Sequence, residues 1–151
     1  MSTFLIVLLI VVAFVVGQVS LLRPSRRESR LMALRIEARK LGLHARLLAP
    51  PEWYRGERPI GGLLACYSLM AEEGAKGLPY FRAIRLSDGD WIVKEGERSL
   101  LQKLALPAEA ESLLALEARA NAVSLWWKEE LDVQALPALK NLLQDLMEKN
   151  K

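Results

Sequence analysis

The chain has 151 residues, one cysteine and a formal net charge of +3. A single cysteine excludes an internal disulfide, and the residues beyond the N-terminal apolar stretch suffice for one small core, not for two independent domains. The charge is uneven: residues 23–46 hold eight basic and two acidic side chains, whereas residues 47–151 hold thirteen and sixteen, so the chain as a whole lacks the basic character of a nucleic-acid binder.

From Phe4 to Leu22 there is no charged side chain. At about 1.5 Å per residue, a helix over residues 3–22 measures about 30 Å, the thickness of a bilayer hydrocarbon core. Residues 1–22 are therefore expected to form a single transmembrane helix, the one-segment structure that satisfies its own backbone in lipid. Met1, Ser2 and Thr3 bring no side-chain charge, while Arg23, Arg26, Arg27, Arg30, Arg35, Arg39 and Lys40 follow the span closely. The basic side stays in the cytoplasm. This places the anchor in a bacterial inner membrane, with the N-terminus outside and the rest of the chain inside. A cleaved signal peptide would need a basic start and a small-x-small cleavage site. Residues 1–3 offer no base, and Gly17, Val19 and Ser20 match a cleavage site poorly.

Pro24 ends the span, and Ser25-Arg26-Arg27-Glu28 reads as a capping box that starts a basic amphipathic helix over residues 23–42. Leu31, Leu34, Ala38 and Leu41 share one face, Met32 and Ile36 form a second, smaller stripe, and Gly42 is placed to end the helix with Leu43 folding back. Packing against the following domain is the preferred role for the main stripe. Arg23, Arg26, Arg27 and Arg30 are the candidate contacts to anionic lipid headgroups, membrane lipid being the first expected partner and nucleic acid a less economical one.

Residues 43–151 are expected to form an α+β domain with a mostly antiparallel sheet packed by helices. Leu43 to Leu48 alternates as a strand with Leu43, Ala45 and Leu47 inward, and Leu63 to Met70 is apolar enough for a central strand. Two β-rich runs, Tyr80 to Leu86 and Trp91 to Lys94, flank an Asp88-Gly89 hairpin turn. Ser99 to Leu106 suits a short helix. Residues 107–120 fit helix or strand, with a second hairpin about Ala120-Asn121 favoured, and residues 134–148 predict a terminal helix burying Leu136, Leu139, Leu142, Leu143 and Leu146.

The proline-bounded loop from Pro50 to Pro59 combines Trp53, Tyr54 and Arg55 with other charges, the composition of a protein-contact patch. These three residues are the candidate contacts to a partner, expected to be another membrane protein. The plainer alternative has Trp53 and Tyr54 plugging the edge of a small core. Trp126-Trp127 in a strand point to opposite faces, so one is expected to be buried and the other exposed or covered by a helix. His44 lacks neighbours at metal-ligand spacing, and Cys66 sits in an apolar run as a buried structural thiol. Gly61-Gly62 lacks the residues of a phosphate cradle, and the carboxylate clusters at Glu72-Glu73, Asp88/Asp90 and Glu129-Glu130-Asp132 lack the partners of an acid–base pair. No catalytic residue, cofactor, metal or small-molecule substrate is expected.

Leu22-Arg23-Pro24-Ser25-Arg26-Arg27 after an uncharged span resembles the start of the YajC family, small accessory subunits of the bacterial Sec translocase. The likeness covers residues 4–27, and YajC proteins have a shorter cytoplasmic part. The resemblance implies an accessory role beside membrane machinery and carries over no catalytic residue. These features point to a membrane-anchored accessory or scaffold protein, with anionic-lipid or nucleic-acid binding through the basic helix as the alternative.

Overall fold

A computed structural model describes residues 2–56 and 61–151. It divides into two compact units, residues 1–32 and 33–151.

In the first unit, helix α1 (Ser2–Leu21) runs for 20 residues with no side chain buried, and it is long and apolar enough to cross a membrane. A second helix, α2 (Arg26–Lys40), starts on the expected capping box. The Ser25 amide donates to Glu28 Oε2 at 2.8 Å, and the Glu28 amide donates to Ser25 Oγ at 3.1 Å. Two amides left without intrahelical acceptors are satisfied reciprocally, which restarts the helix just after Pro24.

The second unit begins within α2, at Ala33. Leu34 and Ala38 are fully buried, whereas Ile36 lies on the exposed side. The helix ends in a Schellman motif: Gly42 adopts φ +83°, the Leu43 amide bonds to the Ala38 carbonyl at 2.9 Å, and the Gly42 amide bonds to Arg39 at 3.0 Å. Glycine takes that left-handed conformation without a Cβ clash, and Leu43 folds back onto Ala38 in the core.

Six strands follow: β1 (His44–Leu48), β2 (Leu64–Met70), β3 (Phe81–Arg85), β4 (Trp91–Glu95), β5 (Leu113–Arg119) and β6 (Ala122–Trp127). They form one antiparallel sheet in the order β1-β2-β6-β5-β3-β4. The fold is α+β. The β3–β4 hairpin closes through a Gly89 amide bond to Leu86 at 3.0 Å and a Leu86 amide bond to Asp90 at 2.7 Å, with Gly89 at φ +97° supplying the bulge that matches strand twist. The β5–β6 turn is the two residues Ala120-Asn121, which settles residues 113–119 as strand, after a 3-10 turn at Ala108–Ser112. The short helix α3 spans Leu100–Lys103, and α4 spans Leu136–Lys149 with Leu136, Leu139, Leu142, Leu143 and Leu146 all buried.

The register assigns each strand residue to a face. Ala45, Tyr67, Phe81, Ala83, Leu116, Ala118, Val123, Leu125 and Trp127 share one face, which α4 and the second half of α2 cover. Tyr67 and Trp127 meet edge to face at 5.2 Å. Leu47, expected inward, shares this face but is 45% exposed, because it lies near the end of an outermost strand where no further strand flanks it. Both Trp126 and Trp127 are buried, on opposite faces, so neither is the exposed indole that strand alternation allowed.

The helix layer is pinned by one polar group. Glu129, just past β6, is 4% exposed and holds φ +54°, the one positive φ outside glycine among the described residues. Its carboxylate accepts a bidentate pair from Arg35, 2.8 Å from Nε and 2.5 Å from the terminal nitrogen, and a third bond from the Tyr67 hydroxyl at 2.7 Å. Burial, reinforced by the adjacent carboxylate, pushes the Tyr67 phenol well above its ordinary value, and the Glu129 bond raises Arg35 as well.

Replacing Glu129 by Ala removes three bonds and leaves Arg35 and Tyr67 without them. The expected cost is about 3 kcal/mol, the lower end for a broken buried pair because Arg35 keeps some solvent, read from urea unfolding of the full chain in mild detergent. A double variant adding Arg35→Leu is expected to lose less than the sum of the singles. Because the folded Tyr67 pKa is raised, its contribution to stability is complete below the unfolded tyrosine value, near pH 10, and falls as pH rises past it. Tyr67→Phe should remove that alkaline loss.

Candidate functional site

Among the described residues, the opposite face of the sheet carries no helix. Across it the register aligns one polar residue from each strand: His44, Ser68, Ser124, Glu117, Arg82 and Glu95, in spatial order from β1 to β4. Ser68 and Ser124 hydroxyls meet at 2.8 Å. Glu117, 3% exposed, accepts from Arg82 Nε at 3.2 Å and pairs with Arg119 Nε at 3.0 Å, and Arg82 reaches on to Glu95 at 2.9 Å. A buried carboxylate between two guanidiniums is neutralised where it stands.

The adjacent row is apolar at its centre. Cys66, Trp126, Ala115 and Ile84 form a cluster with Leu64 and Tyr54, onto which Trp53 and Leu114 pack. The chain enters this cluster through a turn in which the Tyr54 amide bonds to the Pro51 carbonyl at 2.9 Å. Arg82 lies 5.5 Å from the Trp53 ring and 5.5 Å from the Tyr80 ring, so a cation between two aromatic faces fastens the loop to β3.

Of the expected contact trio, Tyr54 is thus a packing residue, 2% exposed, because its ring closes the apolar half of the open face. Trp53 is half-buried and Arg55 exposed, and these two retain surface. Glu57, Arg58 and Pro59, part of the same expected patch, lie outside the described residues. Arg23, Arg26, Arg27 and Arg30 are all exposed on the first unit.

Beside the loop, the uncovered polar half of the face forms a groove of about 650 Å³, lined by His44, Arg46, Cys66, Ser68, Glu117, Arg119, Ser124 and Trp126, among others. Composition did not reveal this groove, because its residues come from four strands that meet only through the register. The trace in the sequence is the alternation Cys66-x-Ser68-x-Met70 against Ala122-x-Ser124-x-Trp126, a polar stripe inside two runs that otherwise read as apolar.

Cys66 lies in the groove wall with its sulfur 3.8 Å from Ser68 Oγ. Burial pushes its thiol pKa up, against the smaller lowering effect of the serine hydroxyls. The thiol is held protonated at neutral pH, the opposite of an activated nucleophile. Among the described residues no group of three His, Cys, Asp or Glu side chains converges as metal ligands would. The arrangement offers cationic and hydroxyl groups along the groove. No family model, no characterised protein and no solved structure matches the chain.

Gly56 sits against Tyr54, so that a Cβ there would meet its hydroxyl and ring carbon at 2.2 and 2.4 Å. Gly56→Ala is expected to displace the buried ring and cost about 1–3 kcal/mol, measured by urea unfolding. Alkylation of Cys66 by iodoacetamide at neutral pH should be slow in the folded protein and fast in denaturant; equal rates would contradict the thiol environment described above.

Proposed function

We propose that the chain is a single-pass, membrane-anchored accessory or scaffold protein whose α+β domain lies in the cytoplasm and docks on another membrane protein. The observation that carries this reading is α1, an uncharged, predominantly apolar helix of 20 residues with no side chain buried. So much apolar surface facing outward needs lipid or a protein partner to cover it. A signal sequence meets the same criterion of length and composition. The anchor is favoured by the order of charges, with no basic side chain before the span and four arginines within residues 23–30 after it.

The docking role rests on the second unit. Among the described residues its sheet leaves one face without helices, and the loop bordering that face carries half-buried Trp53 and exposed Arg55, residue types enriched where proteins meet. An accessory role of this kind is also what the resemblance to YajC proteins implies. A second reading, contact with anionic headgroups, is supported by the exposure of Arg23, Arg26, Arg27 and Arg30 directly after the span. The two readings are compatible, since the arginines and the sheet face belong to different units.

A photo-crosslinking residue placed at Trp53 or Arg55 in membranes should yield a discrete adduct with another integral membrane protein, whereas the same residue at Lys94 should not. Deleting residues 2–21 should release the chain into the soluble fraction. A mature protein whose N-terminus lies near residue 20, or a domain recovered outside the cytoplasm, would overturn the proposal.

A further inference from the structure

We propose that the open-face groove binds an extended acidic peptide segment, held by carboxylates on Arg46 and Arg119 across the hydroxyl floor of Ser68 and Ser124. The inference deepens the docking role above and rests on it, naming the chemistry of the partner segment.

Arg46 is exposed on β1 and, among the described residues, has no ion-pair or hydrogen-bond partner for its guanidinium. Arg119, at the far end of β5, spends its Nε on Glu117 while its side chain stays 56% exposed, so its outer N–H groups face solvent. The Glu117 charge is shared by Arg82 and Arg119. The groove is thereby left with a cationic surplus at two corners.

The register sets the spacing of those corners. Arg46 and Arg119 are three strand positions apart across the sheet and two same-face rows apart along it. At ordinary strand spacing and rise, this separates their Cα atoms by about 20 Å. That is too far for one small carboxylate, and it matches an extended chain whose acidic residues stand at i and i+6, which project to the same side. The intervening floor pairs hydroxyls with Met70 and Ala122, suited to small polar and aliphatic side chains between the two acids.

A single-stranded nucleic acid is disfavoured. Such ligands stack bases on exposed rings, whereas Trp126, which lines the groove, is 5% exposed.

The test uses the full chain in nonionic detergent and a fluorescein-labelled heptapeptide with glutamate at both ends and alternating valine and serine between them. Anisotropy should show saturable binding that weakens with added salt. It should be lost when glutamine replaces both glutamates, and weakened about tenfold by the double variant Arg46→Gln, Arg119→Gln. Arg46→Glu, which disturbs no ion pair among the described residues, carries the same test should the double variant lose its fold. Absence of saturable binding, binding indifferent to these variants, or tighter binding of an oligouridine of similar length would each overturn the proposal. A discrete crosslinked partner from Trp53 or Arg55 alongside any of those results would leave the docking role standing and remove the acidic-peptide groove alone.

Discussion

The Glu129 carboxylate is the constraint around which the folded unit is arranged. A buried anion is costly unless its lone pairs are filled, and here a bidentate guanidinium and a phenol fill them from two different elements, α2 and β2. Glu129 itself follows β6, so three segments distant in sequence converge on one group. Its left-handed backbone costs of the order of 1–3 kcal/mol in an L-residue, which persists because the surrounding bonds over-determine it. Hydrophobic burial of Leu34 and Ala38 supplies attraction between helix and sheet. The clamp supplies register, since a guanidinium fork meets a carboxylate well in few geometries.

Once the helices are fixed on one face, the character of the other follows. A sheet with one covered face alternates strictly, so each inward Val123, Leu125 or Trp127 obliges an outward Ala122, Ser124 or Trp126. The outward set is handled in two ways. Its apolar part, around Cys66 and Trp126, is closed by the Tyr54 ring with Gly56 pressed against it; its polar part stays open as a groove. The loop is therefore both a lid on the small apolar cluster and one wall of the exposed surface. Arg82, between the Trp53 and Tyr80 rings and bonded to Glu117 and Glu95, links the two parts.

Local features were legible in the sequence wherever a short-range physical rule settles them. The Ser25–Glu28 capping box, the Gly42 helix stop, the Asp88-Gly89 hairpin and the leucine face of α4 all depend on residues within one or two turns of each other. Leu47 takes the expected face yet stays exposed, because alternation reports the side of a sheet and not whether anything covers that point. Tyr54 is an aromatic in a polar loop, and whether such a ring meets solvent or core depends on the cluster that receives it.

Order along the chain is enough to specify an uncharged helix long enough to cross a bilayer, the arginines after it, and an α+β domain of alternating strands closed by an amphipathic helix. These follow from periodicity and charge order, which act along the chain. The strand order, the Arg35–Glu129–Tyr67 clamp and the polar row from His44 to Glu95 emerge only on folding. Each of these joins residues far apart in sequence, through a register that no local preference encodes.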